Sequence, residues 1–323
     1  MKKFFSILVL IVFMFSFTSC GSKKAEPEDD VEKIFTVGIC QLLQHPALDE
    51  ATKGFQDALR EKLGQRIVFD FKNASGEPSN CSTIINGFIT DEVDLIMANA
   101  TPALAAAASA TSTIPILGTS ITEYGAALDI DDFSGVSGRN ISGTSDLAPL
   151  DEQAQMIIDL FPEVKKVGIL FCSTESNSRY QVKIVSEYLE KNGITVEEFS
   201  FTDTNDIAAV TQQACDESDV IYIPTDNKAA DCAETINNVA VVSNVPIIAG
   251  EEGICSSCGV ATLTIDYYSI GYKTGLMAFE ILENKADISK MQIGYDPDPV
   301  KKYNPVLADK YSVDIPDDYS AIE

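Results

Sequence analysis

Three stretches each end an apolar run in residues that can hold charge. "DLIMANATPALAAAA" (94–108) passes from Leu95–Ala98 through Asn99-Ala100 into Thr101-Pro102, which open a segment of almost pure alanine. A capping Thr with Pro102 in the first helical turn starts a helix whose leading N–H groups have no partner. "KVGILF" (166–171) is followed by "CSTESNSRY", where Asn177 and Ser178 can open the next helix. "DVIYIP" (219–224) is followed by "TDNKAAD", with Asp226 and Asn227 in the equivalent place. Helix N-termini hold anions through free N–H groups and the helix dipole. A buried Asp226 would receive an ammonium, and an anion site opposite an acid describes a zwitterion such as a free amino acid. Each of these residues could instead serve as a plain helix cap.

The elements that must position these groups alternate. "IFTVGIC" (34–40) is a β-branched strand, and "PALDEATKGFQDALREKLG" (46–64) carries Leu48, Ala51, Phe55, Ala58, Leu59 and Leu63 at helical spacing. Strands follow at 66–71, 94–98 and 114–117, with helices near 78–90 and from Pro102. The series then restarts. Helices are expected at 152–161, 179–193, 206–215 and 228–244, and strands at 166–171, 195–201, 219–224, 245–250 and 259–266. Continuous apolar strands alternating with helices mean parallel sheets covered on both faces, here two α/β units. The join falls in "SGVSGRNISGTSD" (134–146), and the amphipathic "SIGYKTGLMAFEILEN" (269–284), after Asp266, crosses back to pack on the first unit. In open α/β sheets the ligand lies beyond the carboxyl ends of the strands.

The N-terminus, "MKKFFSILVLIVFMFSFTSC", has two lysines, an apolar stretch from Phe4 to Phe17 and small residues before Cys20. That is the layout of a secretory signal. Its apolar part, about 14 residues, is short for a membrane span of roughly 20. Residues 21–33 are small and charged, as in a flexible tether. The net charge is −26, with 49 acidic and 23 basic residues, which makes nucleic acid and anionic lipid surfaces poor partners. Eight cysteines include Cys20, so an odd number remains and not all can pair within the chain. "CSSC" (255–258) has redox or half-metal-site spacing, yet a second CxxC is missing and the one histidine, His45, is distant. A local disulfide or two plain thiols is the simpler reading. No G-x-S-x-G, phosphate loop or HExxH is present. No catalytic residue, metal site or cofactor is therefore expected, a thiol-dependent enzyme being the one open catalytic route.

"QHPALDEATKGF", "NATPALAAA", "GTSDLAP", "ESNSRYQV", "IPTDN" and "IDYYSIGYKTG" together resemble the ABC-transporter substrate-binding lipoproteins that include tryptophan- and tyrosine-binding proteins, over residues 34–316. The resemblance implies a type I periplasmic-binding-protein fold of two doubly wound parallel-sheet lobes joined by a hinge with three crossings. It implies lipidation at Cys20 after a signal at 1–19, a tether at 20–33, and delivery of ligand to a membrane permease. Lobe one would comprise 34–143 plus 267–297, and lobe two 144–266 plus 298–323. The expected ligand is an aromatic amino acid (Trp, Tyr or Phe), bound by a monomer. A sugar or nucleoside receptor shares the architecture. The chain departs from the family pattern at "ITEY" (121–124), where Thr-Asp-Pro is common, and at Arg139. The cleft residues are expected to be His45, Thr101, Pro102, Thr119, Thr122, Ser145, Asp146, Asn177, Ser178, Asp226, Asn227 and Asp266. Tyr267 or Tyr268 could stack on a ligand ring, although core packing is the simpler role.

Overall fold

The computed structural model describes residues 32–296 and 298–322. The expected signal, the lipidated Cys20 and all but the last two residues of the tether lie outside the described residues. The first half runs β1 (Phe35–Gln41), α1 (Pro46–Leu63), β2 (Ile67–Asn73), α2 (Pro78–Thr90), β3 (Leu95–Asn99), α3 (Thr101–Ala110), β4 (Ile116–Ile121), α4 (Tyr124–Leu128) and β5 (Ile141–Ser145). These strands form one parallel sheet in the order β2-β1-β3-β4-β5.

The second half continues with α5 (Leu150–Leu160), β6 (Lys166–Cys172), α6 (Ser176–Lys191), β7 (Thr195–Phe201), α7 (Ile207–Glu217), β8 (Val220–Ile223), α8 (Asn227–Asp231) and α9 (Ala233–Ser243). It closes with β9 (Ile247–Ala249), α10 (Glu252–Cys258), β10 (Ala261–Thr264), α11 (Tyr267–Leu282), β11 (Val300–Tyr303), α12 (Pro305–Tyr311) and β12 (Ser320–Ala321). Its sheet is ordered β12-β11-β10-β9-β8-β6-β7. This sheet is mixed, because β11 runs antiparallel to β10.

Apolar strands alternate their faces between two cores. Val37 and Ile39 pack with Phe55 and Leu59 of α1 and Ala278 of α11, while Cys40 packs with Phe88 of α2 and Leu104 of α3. In the second sheet Val167 and Ile169 meet α5 and α6, and Leu170 and Ile221 meet α7, α9 and α10. Each sheet is thus covered on both faces, as continuous apolar strands require. α11 follows a strand of the second sheet yet packs on the first, so the chain crosses between lobes after Ser145, after Thr264 and again before Val300.

The glycine-rich 134–146 stretch is not only a join. It contains β5, the fifth strand of the first sheet, so the first crossing begins at Asp146. β5 reads as polar because its partners are unusual. Ser142 Oγ donates to the Met291 carbonyl at 3.1 Å, and Thr144 Oγ1 lies 2.7 Å from Thr274 Oγ1 of α11. Gly143, at φ 141°, stands where a Cβ would strike the Gly118 backbone of β4. α4, α10, α12, β11 and β12 also went unread, and the helix expected over 228–244 breaks at Cys232 into α8 and α9.

Both sheets repeat one winding. Counted from β1 or from β6, the order is 2-1-3-4-5, in which ligands bind where the strand order reverses, between the first and third strands. In lobe one those ends carry His45 and Thr101. In lobe two they carry Asn177 and Asp226.

Candidate functional site

The strand ends of the two lobes meet at a narrow cavity lined by His45 and Leu48 of lobe one, Asp226 and Glu251 of lobe two, and Asp146 and Tyr267 at two of the crossings. No Lys or Arg lines it. Several buried polar atoms at the strand ends have no hydrogen-bond partner among the described residues: His45 Nδ1 after β1, Ser120 Oγ in β4, Asp146 Oδ1 after β5 and Asn177 Oδ1 after β6. Buried polar atoms are nearly always paired, so each such group calls for an explanation, and these four share the strand ends. The backbone is strained at the same ends: Ala100 has φ 87° and ψ 153°, and Ser120 has φ 55°. Non-glycine residues in these regions persist where surrounding structure holds them, commonly at ligand sites.

The helix starts divide into filled and open. Asp226 caps α8: Oδ1 accepts from Ala229 N at 2.8 Å, and Oδ2 from Cys172 N and Ser178 Oγ, each at 2.7 Å. Glu175 also holds α8, accepting from Asn227 N at 3.1 Å, Asn227 Nδ2 at 2.7 Å and Lys228 N at 3.0 Å. Glu251 caps α10 through Gly253 N and Ile254 N. The protein's own carboxylates therefore occupy those dipoles. By contrast α1, α3 and α6 start without a side-chain cap. Thr101 is the first residue of α3 rather than its cap, which is Ala100, so the cap reading of Thr101 is corrected. At α3 only the Thr101 N–H could meet an anion, because Pro102 has no N–H and Ala103 N and Leu104 N both donate to the Ala100 carbonyl at 3.1 Å.

Burial sets the protonation of the acids. It pushes Asp146 up to about 6, and Asp226 and Glu251 each up to about 7, the last two further raised by neighbouring carboxylates. His45 is held down at about 4 by burial and is neutral at pH 7.

Other expected residues do structural work. Thr119 Oγ1 sits 3.2 Å from Thr144 Oγ1 inside the sheet, and Ser145 Oγ donates to the Thr122 carbonyl at 3.0 Å in the crossing. Asp266 is exposed and caps α11 through Ser269 N at 3.0 Å. Pro102 is partly buried behind Thr101. Tyr268 turns outward, its ring under Lys53 Nζ at 4.9 Å, whereas Tyr267 lines the cavity and donates to Asp146 Oδ2 at 3.1 Å. Glu251, Glu175 and Ser120 were missed, although "IIAGEEG" (247–253) repeats the pattern of a strand end feeding a polar helix start.

The CSSC cysteines lie on α10 as buried free thiols, Cys255 Sγ donating to the Gly259 carbonyl and Cys258 Sγ to the Ile254 carbonyl. Burial raises both, so neither is a ready thiolate. Cys255→Ser should leave ligand affinity unchanged by calorimetric titration. A lost affinity would return the thiols to the site.

Residues 36–318 match the family described as ABC transporter substrate binding protein. The chain belongs to that family. It is 35% identical over 295 residues to a tyrosine-binding protein of Clostridioides difficile, covering 88% of this chain and 85% of that one. A structure from Streptococcus pneumoniae in complex with L-Trp is similar at 31% identity and TM-score 0.84, over 88% of this chain and 97% of that one. The ligand-free, open structure of a substrate binding protein with adhesive properties from Clostridium difficile is similar at 32% identity and TM-score 0.69, over 90% and 99%. These relatives are substrate-binding proteins rather than enzymes, and ABC substrate-binding proteins work outside the cytoplasm with a membrane permease. Among the described residues no helix is long and apolar enough to cross a membrane.

Proposed function

We propose that this substrate-binding protein closes its lobes on one free aromatic amino acid (Trp, Tyr or Phe), held as a zwitterion between the strand ends, and presents it to an ABC permease. The lobes that move are residues 34–145 with 267–297, and 146–266 with 298–322. A signal cleaved before Cys20 would leave a lipid on that cysteine and anchor a monomer to the outer face of the cell membrane.

The observation that carries this reading is the pairing of an uncapped helix start with buried acids. Thr101 at the start of α3 and the uncapped start of α6 suit the carboxylate. Asp146, Asp226 and Glu251 suit the ammonium, with His45, Thr225 and Asn227 completing the walls and Asn177 and Ser178 holding Thr225 and Asp226 from behind. Two relatives support the ligand class, one named for tyrosine and one holding L-Trp. They also support a closed arrangement here. At nearly equal identity the chain superposes better on the Trp complex than on the open, ligand-free structure, so lobe placement rather than sequence divergence separates the scores.

A thermal-shift screen of the twenty amino acids with common sugars and nucleosides tests the reading. Ligand at 100 times its Kd should stabilise the protein by about 2.7 kcal/mol. Shifts are expected with Trp, Tyr or Phe. Shifts confined to sugars or nucleosides would sink the amino-acid reading.

A further inference from the structure

Three carboxylates surround one small cavity, and their hydrogen bonding is unequal. Asp226 already accepts from two backbone N–H groups and a hydroxyl, and Glu251 from two backbone N–H groups, so both are countered by helix starts. Asp146 caps no helix. Its Oδ2 takes the Tyr267 hydroxyl at 3.1 Å, the Thr122 hydroxyl lies close enough to favour the charged form, and its Oδ1, though the residue is only 5% exposed, has no partner of hydrogen-bond geometry among the described residues. It also stands at the first crossing, where both lobes meet around it.

Resting on the amino-acid reading above, we propose that Asp146 is the specificity-determining residue that receives the ligand's ammonium, and that in acid the ammonium enters by displacing a proton from Asp146. The exchange balances: protonated Asp146 and R–NH3+ give the carboxylate–ammonium pair and one proton released to solvent. The site therefore rejects aromatic ligands that carry a carboxylate but no cationic amine.

The groups facing the cluster fit this role. They are His45 at the start of α1, Tyr124 of α4, Glu175 at the start of α6, Asp231 at the end of α8, Glu252 of α10 and Tyr267 of α11. None is a lysine or arginine, and His45 is neutral, so no fixed cation of the protein can neutralise Asp146. The sign follows from burial. An acid whose proton affinity is higher in the closed form than in open, hydrated lobes favours closure at low pH, and that contribution is lost as pH rises through about 6.

L-tyrosine is the probe for calorimetric titration in two buffers of different ionisation heat. At pH 5.5 most of one proton should leave per tyrosine bound, and affinity should rise about fivefold from pH 5 to 6 and about tenfold from pH 5 to 7, then level off. Asp146→Asn should weaken tyrosine by about a hundredfold or more and flatten the profile. 4-Hydroxyphenylpropionate, the same ligand without the amine, should not bind wild type. PH-independent binding without proton release, near-native affinity in Asp146→Asn, or tight binding of the des-amino acid would each overturn the proposal. Small-angle scattering of the ligand-free protein separates its failure from that of the ligand reading. Wild type should be more compact at pH 5 than at pH 8 and Asp146→Asn should respond less, keeping only what Asp226 and Glu251 contribute, whether or not tyrosine is the ligand. A wild-type radius that ignores pH counts against the proposal.

Discussion

Asp226→Ala is expected to lower the melting temperature by ~10 °C while reducing ligand affinity less than Asp146→Asn does. The Asp226 carboxylate ties three elements together: Cys172 N at the end of β6, Ser178 Oγ in α6 and Ala229 N in α8. Alanine leaves two buried N–H groups without an acceptor, one of them the capped N–H of α8, each worth about 1–3 kcal/mol, and leaves the Ser178 hydroxyl without its acceptor. Relief of the repulsion between Asp226 and Glu175 offsets part of this. The net loss should be about 3–5 kcal/mol, or on the order of 10 °C for a chain of this size. Scanning calorimetry and titration of the same variant decide the matter. An unchanged melting temperature with affinity down a hundredfold would make Asp226 the ammonium's partner in place of Asp146.

Asp226 also illustrates what a sequence conceals. A carboxylate at a strand end is legible, but the N–H groups that claim it depend on how β6, α6 and α8 meet. Asp146, placed in "GTSDLAP" beside the join, has the same residue type without those donors, and only the fold distinguishes the two. The β/α alternation was legible because strands such as Leu95–Asn99 are buried along their whole length and therefore apolar up to the last residue, Asn99. β5 was not, because "ISGTS" satisfies its hydroxyls against α11 and the 291–294 segment rather than presenting aliphatic side chains. α10 escaped for a related reason. Seven residues with Gly253 and two serines carry no helical period, and the helix is fixed instead by the Glu251 cap and by Ile254, Cys255 and Cys258 in the core. Thr119 and Ser120 show how fine the limit is. Adjacent residues of one strand divide into a side chain buried in the sheet and an unpartnered hydroxyl, and the positive φ at Ser120 that sets this is invisible in the sequence.

Gly271→Ala should lower stability by about 3 kcal/mol and weaken ligand binding together, although Gly271 lines no part of the cavity. α1 and α11 cross at closest approach through Gly54 and Gly271. A Cβ at Gly271 would meet Ala51 carbonyl carbon at 2.6 Å, and one at Gly54 would meet Tyr272 N at 2.8 Å. Both obstacles are helix backbone, which cannot swing aside as a side chain can, so the helices must part. Their N-terminal ends are parts of the site. α1 begins at His45 and Pro46, α11 begins at Tyr267, and Tyr267 holds Asp146 through its hydroxyl. Separating the two axes displaces that hydroxyl from Asp146 and widens the cavity on the side where His45 and Leu48 face Tyr267. Misplacing a binding group by about 1 Å is enough to lose most of a buried polar contact. Parallel denaturant titrations and ligand titrations on Gly271→Ala test the coupling. Reduced stability with wild-type affinity would mean that the crossing supports lobe one alone, and that the ends of α1 and α11 hold their places by contacts with lobe two.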